Sequence, residues 1–518
     1  MERRKFIKHI MAGGVAPYFL NGLPINAFGG INETALGDDK VLVVIQMAGG
    51  NDGLNTVVPI DQYANYSSNR GAIALKENRL LSIPQSDKIG LHPSLSPLTE
   101  LFEEGKANII QDVGYPDPDF SHFRSTDIWN TASDSDKQVL SGWAGRYLAS
   151  DNPDFPNNYP NEQHPDPLSI QIGSVLNTSL QGPVYPMGMA ISGPDFFYEL
   201  LTEEQGETPT TLAEKELAYL RQVATQTNQY ANSIKKAATA VGTQVTYNQE
   251  SLSQQLKVVA RLIAGGLRTK FYFVRIGGFD THDNQAETSD TSTGEHANLL
   301  AELSNAILSF TRDLEQLGAQ DRVLTMTYSE FGRRIKANGS RGTDHGAAAP
   351  MFLFGEFVNS KVFGENPILP TVAGNNESVP MQFDFRSVYA SILERWFCVE
   401  TPQISEVMLQ TFQSLPLVQG APCGFITANA IPEEIEIPFK AYPNPVIDFV
   451  KLEFLSDGGI NLIQIFNARG QVIATPLYAQ KKPGWHTEIY NAARFASGSY
   501  FVRWQNNAEQ KIIKLIRV

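Results

Sequence analysis

Short apolar runs alternate with stretches of helical periodicity between residues 38 and 427. Each run is continuously apolar, as is typical of a strand buried on both faces of a sheet. The runs are Lys40–Met47, Ala107–Val113, Lys270–Ile276, Arg322–Tyr328 and Met351–Phe354. Helical periodicity is found at Thr211–Lys236, Ser251–Leu267, Glu295–Leu317 and Phe385–Trp396. This alternation predicts an α/β domain with a mostly parallel sheet flanked by helices.

The pattern changes after residue 427. Residues 428–438 form a linker rich in proline and glutamate, and the segment beyond it has short runs of period two separated by turn residues. These runs are Lys451–Leu455, Leu462–Phe466, Gln471–Ala474, Ser499–Trp504 and Lys511–Ile516. Residues 439–518 are therefore expected to form a small antiparallel β-sandwich.

The first 29 residues have the pattern of a targeting signal. Arg3 and Arg4 are followed by Phe-Ile-Lys and then by the weakly apolar stretch Ile10–Leu20. This arrangement resembles a twin-arginine export signal. A basic, frayed N-terminus is the alternative. No run reaches the ~20 apolar residues of a membrane-spanning helix, so no span is expected in the mature chain.

Composition narrows the classes of partner. A chain of 518 residues with 42% apolar residues is expected to form more than one globular domain. Its net charge of −14 argues against nucleic acid as a partner. The two cysteines, Cys398 and Cys423, are too few for a disulfide scaffold. They could form one bridge or remain two separate buried thiols.

Polar residues follow the predicted strands, where parallel sheets bind ligands. Asp52 lies in a glycine-rich turn after the first strand, and the same residues also suit an ordinary turn. Asp280 and His282 are two residues apart, so in extended backbone both point to one side. A carboxylate and an imidazole on one face predict half of a divalent-metal site, and a surface Asp–His pair is the alternative.

Further candidates follow the 320s strand and precede a helix. Glu330 lies at the strand end, with Arg333 and Arg334 just downstream, and Asp344 and His345 lie between glycines. Ser121 precedes an amphipathic helix, where it is placed as an N-cap. The same position directs a hydroxyl at a helix N-terminus, where an anion is stabilised.

The motifs GGNDGLNT, SHF, GGFDTH, YSEFGRR and GTDHG, in this order, resemble a bacterial family known as domain of unknown function 1501. That family is similar to the alkaline-phosphatase and sulfatase superfamily, whose members hold two divalent cations at strand ends and attack phosphate or sulfate esters. The resemblance covers nearly all of residues 38–427. It implies an alkaline-phosphatase-like fold for this domain.

The resemblance also implies roles for the candidates. Asp52 would be the first-strand metal carboxylate, Asp280 with His282 the Asp/His pair, and His345 the late histidine. The superfamily's second Asp-His pair reads Glu330-Phe331 here. Phenylalanine cannot bind a metal, so one cation (Zn, Ca, Mg or Mn) is expected rather than two, and Asp344 is placed to compensate.

The remaining roles concern the nucleophile and the anion. Ser121 is the expected nucleophile, with Thr126 and Ser125 as the alternatives. Arg333, Arg334 or Arg124 is expected to bind the anionic group bidentately. Neither cysteine lies in the Cys-x-Pro-Ser-Arg context from which formylglycine is made. A formylglycine sulfatase is therefore disfavoured.

The C-terminal segment has its own resemblance. The motifs AYPNP, IFNARG and ASGSYF, with the basic apolar end KLIRV, look like the type IX secretion sorting domain of Bacteroidetes. A carbohydrate-binding or adhesion sandwich is the alternative, but the pattern shows no aromatic platform. With the N-terminal signal, the resemblance implies passage through the periplasm to the cell surface or beyond, with the secretion machinery contacting both termini.

Two functions are consistent with these features. One is an exported, metal-dependent hydrolase of phosphate or sulfate esters, acting on a small-molecule or glycan substrate. The other is a non-catalytic surface protein that keeps the fold and binds glycans or an outer-membrane partner. A carboxyl-ester hydrolase that uses Ser121 is a third possibility.

Overall fold

The computed structural model describes residues 39–193, 228–419 and 439–517, apart from short gaps at 443, 445, 457, 468–471 and 507–509. In the N-terminal segment only the backbone of one antiparallel strand pair is described, Tyr18–Leu20 with Leu23–Ile25. The rest of the predicted signal and the linker at 428–438 lie outside the described residues. Contacts divide the chain into two units, Met1–Phe425 and Ile426–Val518.

A nine-stranded sheet is the centre of the first unit. Its strands in chain order are β1 (Val41–Met47), β2 (Ala107–Gly114), β3 (Ser169–Ile172), β4 (Met189–Ile191), β5 (Phe271–Ile276), β6 (Val323–Tyr328), β7 (Ala349–Phe354), β8 (Val362–Phe363) and β9 (Phe383–Asp384). The spatial order is β8-β2-β7-β6-β1-β5-β3-β4, and β9 pairs with β2.

Every pairing in this sheet is parallel except the two made by β7. The five strands predicted from apolar runs are confirmed, and so is the mostly parallel sheet. The apolar run of β7 looks like those of its parallel neighbours, because burial on both faces selects the same residues whatever the strand direction.

Helices cover both faces of the sheet. They are α1 (Gly53–Thr56), α2 (Tyr63–Asn69), α3 (Ser96–Glu103), α4 (His122–Thr131), α5 (Trp143–Asp151), α6 (Ser251–Ala264), α7 (Glu295–Gln316), α8 (Phe385–Arg395) and α9 (Thr401–Val407). Residues 228–240 are also helical. Single 3-10 turns occur at Ile60–Gln62, Glu77–Arg79, Pro93–Leu95, Thr178–Leu180 and Gln320–Arg322.

Successive side chains of β1 pack into two different hydrophobic cores. Val43 and Ile45 pack in a cluster with residues of α6 and α7, whereas Leu42 and Val44 pack in a cluster with residues of α4, α5 and α8. The α/β architecture predicted from the sequence is thereby confirmed. The predicted helices at Ser251–Leu267, Glu295–Leu317 and Phe385–Trp396 are confirmed to within three residues. Most of the predicted helix Thr211–Lys236 lies outside the described residues.

Two small antiparallel sheets flank the strand ends. One pairs Val57–Pro59 and Leu81–Ile83 with Ser86–Leu91. The other pairs Gly332–Arg333 with His345–Gly346, so that Arg333 lies opposite His345. The second pair brings two of the predicted site segments together.

The second unit consists of two antiparallel sheets. Its strands are β10 (Phe439–Tyr442), β11 (Phe449–Ser456), β12 (Gly459–Asn467), β13 (Val472–Lys481), β14 (Gly484–Asn491), β15 (Gly498–Gln505) and β16 (Gln510–Arg517). The sheet orders are β10-β11-β14 and β13-β12-β15-β16. Phe454 of the first sheet and Trp504 of the second pack in one core, with ring centroids 5.9 Å apart. The predicted sandwich pattern is confirmed, and β10 and β14 are additional strands.

Three further observations bear on the expectations. Tyr442 and Trp485 are each 39% exposed on the sandwich, although the sequence pattern showed no aromatic platform. Cys398 is disulfide-bonded, which favours the bridge over two separate thiols; Cys423 lies outside the described residues. Among the described helices, none is both long enough and apolar enough to cross a membrane.

Candidate metal centre

The candidate site lies where β1, β5 and β6 end. These three strands are neighbours and run parallel, so the loops that follow them meet at one edge of the sheet. Gly49 and Gly50 follow β1 with positive φ angles of 124° and 82°. A Cβ at Gly49 would lie 2.4 Å from the backbone nitrogen of Asp280, so only glycine permits this approach.

Three side-chain atoms form a small triangle at this edge. His282 Nε2 and His345 Nε2 are 2.9 Å apart, and each lies 3.1 Å from Asp280 Oδ1. Ligand atoms around a metal with bonds of about 2.1 Å are roughly 3.0 to 3.4 Å apart. Asp280, His282 and His345, all predicted from the sequence, therefore converge at the spacing of metal ligands.

The outer nitrogens of the two histidines determine their tautomers. His345 Nδ1 lies 2.7 Å from the carbonyl oxygen of Phe120, which can only accept, so Nδ1 carries the proton. His282 Nδ1 lies 3.3 Å from a carboxylate oxygen of Asp344, and the same assignment follows. Both Nε2 lone pairs then face each other and Asp280 Oδ1. A cation between these three groups, either a metal ion or a shared proton, would stabilise the arrangement.

His122, at the start of α4, is a fourth member that the sequence reasoning missed. Its Nδ1 lies 2.9 Å from Glu330 Oε1, and its Nε2 lies 3.3 Å from Asp280 Oδ2. That Nε2 is buried and makes no hydrogen bond. Buried polar atoms without a partner are rare, and the binding of an ion is one standard reason for them. The signal that could have found it is the SHF motif, where a histidine adjoins the singled-out Ser121.

One ligand atom each from His122, Asp280 and His345 lie within 4.8 Å of one another, and these residues could hold a metal ion. Their side chains are 34%, 46% and 20% exposed, so the cluster is open to solvent on one side. The orphaned Nε2 of His122 and the facing lone pairs both fit a bound cation. The donor set thus suits the metal that the resemblance implies.

Glu330 supports the cluster from behind. One carboxylate oxygen lies 2.8 Å from the backbone nitrogen of Gly49, which donates to it, and the same oxygen faces His122 Nδ1. Because this oxygen accepts the Nδ1 proton, the His122 ring presents its Nε2 lone pair to Asp280. Glu330, predicted as a metal carboxylate, is placed here to orient a ligand.

Arg333 is enclosed, with a fully buried side chain. Its donors contact the carbonyl oxygens of Gly49, Gly50, Phe279 and Thr343 and the carboxylate of Asp280. These contacts are all with protein groups, and the side chain is not exposed to solvent. The binding of an anionic group by Arg333 stays a prediction, which these contacts do not favour.

Asp52 lies outside the group of ligand atoms. Its side chain is 1% exposed and forms an ion pair with the fully buried Arg70, and Gln285 Nε2 donates to it at 2.5 Å. Its other oxygen is buried without a hydrogen bond. Burial raises the pKa of Asp52, but Arg70 and its other neighbours outweigh burial, so the pKa is lowered. The structure pairs Asp52 with protein groups and does not bring it to the three-residue cluster.

The other predicted residues line the rim. Asp344 contacts His282, and Arg334 Nη1 lies 3.3 Å from Asp344 Oδ2 and 3.1 Å from the carbonyl oxygen of Asn375. Ser121 is exposed and makes no capping hydrogen bond, so the predicted N-cap contact is absent and its hydroxyl is free of that role. It lies in sequence between Phe120 and His122, which both contact the cluster.

Local charges adjust the pKa values of two ligands. Burial raises the pKa of Asp280, but the Arg333 guanidinium outweighs this and the pKa falls to about 2. Burial lowers the pKa of His345, although the Phe120 carbonyl acts in the opposite direction. At neutral pH the carboxylate is therefore charged and the imidazole is neutral, which are the forms that bind metals.

Comparisons with known proteins give the family. Residues 39–394 match the model described as "Protein of unknown function (DUF1501)", and the chain belongs to this family. Residues 440–518 match the model of the secretion system C-terminal sorting domain. No curated protein matches the chain.

Solved structures of similar fold include three examples. One is Ps i-CgsB in complex with k-i-k-neocarrahexaose (9% identity, covering 92% of this chain and 86% of that one, TM-score 0.31). Another is the PsFucS1 sulfatase from Pseudoalteromonas sp. (10% identity, 89% and 85% covered, TM-score 0.32). A third is a protein in the alkaline phosphatase superfamily from Vibrio parahaemolyticus (9% identity, 86% and 79% covered, TM-score 0.33). At these values the function has to be inferred from the site itself.

Proposed function

We propose that this member of the DUF1501 family is an exported, metal-dependent hydrolase of phosphate or sulfate esters. One observation carries the proposal: the lone pairs of His282, His345 and Asp280 face one another at about 3 Å. The orphaned Nε2 of His122 supports it. A bound metal cation would stabilise such a set of acceptors.

Asp280, His282 and His345 would hold the cation, together with His122. When bound, a divalent cation supplies Lewis acidity, which polarises an ester oxygen and lowers the pKa of a nearby nucleophile. Among Zn, Ca, Mg and Mn, a donor set this rich in imidazole favours zinc, because the other three prefer oxygen ligands.

Ser121 is the proposed nucleophile. It is exposed, it adjoins two residues that contact the cluster, and it precedes α4, whose N-terminal amides favour a negative charge. Arg334 is the arginine proposed to bind the anionic group, since its side chain is 26% exposed. Glu330 and the Phe120 carbonyl hold the His122 and His345 rings, so that the Nε2 atoms stay directed at the cluster.

The sorting domain indicates export through type IX secretion. We propose the cell surface or its exterior as the place of action, on a small-molecule or glycan ester. The N-terminal twin-arginine signal, outside the described residues, would deliver the folded chain to the periplasm first.

A non-catalytic binding protein is the second candidate. Phe331 favours it, because this phenyl ring packs against His122 and His345, with ring centroids 4.9 and 4.5 Å apart, and offers no ligand atom. This candidate requires that the cluster hold no metal, or hold one without any turnover.

Elemental analysis and an ester panel test the proposal. The purified chain is expected to contain a divalent cation and to hydrolyse at least one of a phosphate monoester, a phosphodiester and a sulfate ester. Asp280→Ala and His345→Ala are expected to remove both metal and activity, and Ser121→Ala activity alone. Asp290→Ala, at an exposed carboxylate paired with Arg79, is the matched control and should change neither. A metal-free wild type without activity would refute the proposal.

A further inference from the structure

Arg333 is a charged residue buried inside the metal centre rather than exposed to a substrate. We infer that it is a permanent internal cation, which positions Asp280 and limits the cluster to one divalent metal ion. The inference rests on the proposed metal site and deepens it, because it fixes the number of ions and names a positioning residue.

A guanidinium carries a positive charge and has five N–H donors in a fixed, planar fork. Nε donates to the Gly50 carbonyl at 2.6 Å, Nη1 to the Thr343 carbonyl at 2.8 Å and Nη2 to the Phe279 carbonyl at 3.0 Å. Nη2 also donates to Asp280 Oδ1 at 2.8 Å. A single side chain thus ties together the three loops that carry the site.

These acceptors are oxygens, the atoms that a second hard cation would need. Because Arg333 already engages them, a second ion beside Asp280 would meet a fixed positive charge and would have few free ligands. On another side of the cluster, the Phe331 ring contacts His122 and His345 and carries no ligand atom.

The carboxylate that follows β1 is engaged in the same manner. Asp52 is paired with the fully buried Arg70, so it too has an arginine as its cationic partner. Asp52 and Asp280, which follow neighbouring strands, are therefore each paired with a buried arginine. In the part of the chain that the structure describes, His122, Asp280 and His345 form a group of possible metal ligands, and His282 lies beside Asp280 and His345.

The placement of Arg333 beside Asp280 follows from the pairing of two short strands. Arg333 lies opposite His345 in the antiparallel pair, and it holds Asp280 from the side away from His122. Without the guanidinium, Asp280 would lose one hydrogen bond, and the carbonyls of Gly49, Gly50, Phe279 and Thr343 would each lose one donor. The ligand geometry would then loosen even if the chain stayed folded.

The test is a zinc titration of the full-length mature chain, with the bound metal counted after desalting. Wild type is expected to bind one zinc ion per chain in the cluster. Arg333→Met is expected to weaken zinc binding by about 10-fold or more, as is typical when the support of a ligand is lost. Arg333→Lys keeps the positive charge but loses the planar fork of N–H donors, so an intermediate zinc affinity is expected. This variant replaces Arg333→Met in the test if the methionine variant does not fold.

Arg386→Met is the matched control. Arg386 is also a buried arginine, 4% exposed in its side chain, and it pairs with Asp134 and Asp384 rather than with the cluster. Its loss should lower the melting temperature as the loss of Arg333 does, while zinc affinity stays at the wild-type value. This comparison separates positioning of the metal from general stability.

The outcomes distinguish this inference from the proposed function. Two zinc ions per wild-type chain would overturn the inference and leave the hydrolase proposal intact. An unchanged zinc affinity in folded Arg333→Met would overturn the positioning role alone. A wild type that binds no cation would overturn the proposed function and, with it, the basis of this inference.

Discussion

Asp52 and Asp280 follow neighbouring parallel strands, and both pair with an arginine whose side chain is fully buried, yet their surroundings differ. The side chain of Asp52 is 1% exposed, and its remaining contact is with the amide of Gln285. Asp280 is 46% exposed and faces histidines whose outer nitrogens hold the protons. Asp52 is surrounded by donors, although its second oxygen makes no hydrogen bond, whereas Asp280 faces two imidazoles in addition to its arginine. The two environments, closed and open, should respond differently to mutation.

The largest expected effect is at the open carboxylate. Asp280→Asn should reduce ester hydrolysis by about 10³-fold or more, because the cation loses its charged ligand and metal catalysis supplies several kcal/mol. The kinetics are measured with the most reactive ester of the panel, and metal content is measured in parallel. A variant with normal metal content and normal turnover would remove the distinction between the two carboxylates.

The second-largest effect is expected at Asp52, the buried carboxylate, and concerns stability. Asp52→Asn should lower the free energy of unfolding by about 3–5 kcal/mol, because Arg70 is left as an uncompensated buried charge. Denaturant unfolding measures it. The folded fraction is expected to retain its metal. Loss of metal from a folded Asp52→Asn variant would instead make Asp52 a ligand, as the family resemblance implied.

Acid should destabilise the folded chain around the buried Asp52, because two buried histidines, His296 and His92, lie near it. Burial lowers the pKa of His296 to about 4 and that of His92 to about 3, well below the value near 6.5 of an unfolded chain. Between pH 6.5 and 4 the unfolded chain binds more protons, so stability is lost as the pH falls through this window. Each histidine should contribute about 2–3 kcal/mol to that loss.

Urea unfolding at a series of pH values checks this prediction. His296→Gln should flatten the dependence on pH, since a glutamine does not titrate and can still donate to Asn51 Oδ1, the atom that His296 Nε2 contacts at 3.0 Å. An equal slope in wild type and His296→Gln would contradict the proposed origin.

The smallest effect is expected at Glu330, which contacts the His122 ring of the metal-ligand cluster. Glu330→Gln should weaken metal binding by about 10- to 100-fold without abolishing it, because the His122 ring is held less firmly. Its metal affinity is compared with that of Glu356→Gln, at a glutamate near Lys106 that makes no described contact with the cluster. If Glu330→Gln bound metal as tightly as wild type, Glu330 would not support the site.

The fold was largely predictable because burial leaves a local record. A strand covered on both faces must be apolar throughout, so β1, β2, β5, β6 and β7 could be read from the sequence alone. The direction of β7 could not be read, since both directions bury the same residues. In the sandwich, β14 was missed although its residues alternate between exposed and half-buried.

The sequence by itself determined which side chains could carry the chemistry. Asp280, His282, Asp344 and His345 stand in loops after predicted strands, and residue type with strand position was enough to single them out. The family and the sorting domain were also readable from motifs of a few residues, and the matches at residues 39–394 and 440–518 agree with them.

Only the tertiary structure decided which of these groups meet and which are neutralised. Asp52 and Asp280 look equivalent as residues after strands, but a charged group is stabilised by whatever lies within a few ångströms, and those neighbours come from distant parts of the chain. Arg70, Arg333 and His122 are separated from the carboxylates they contact by 18 or more positions. Hydrogen bonding and Coulomb interaction act through space, so no local pattern could have recorded them.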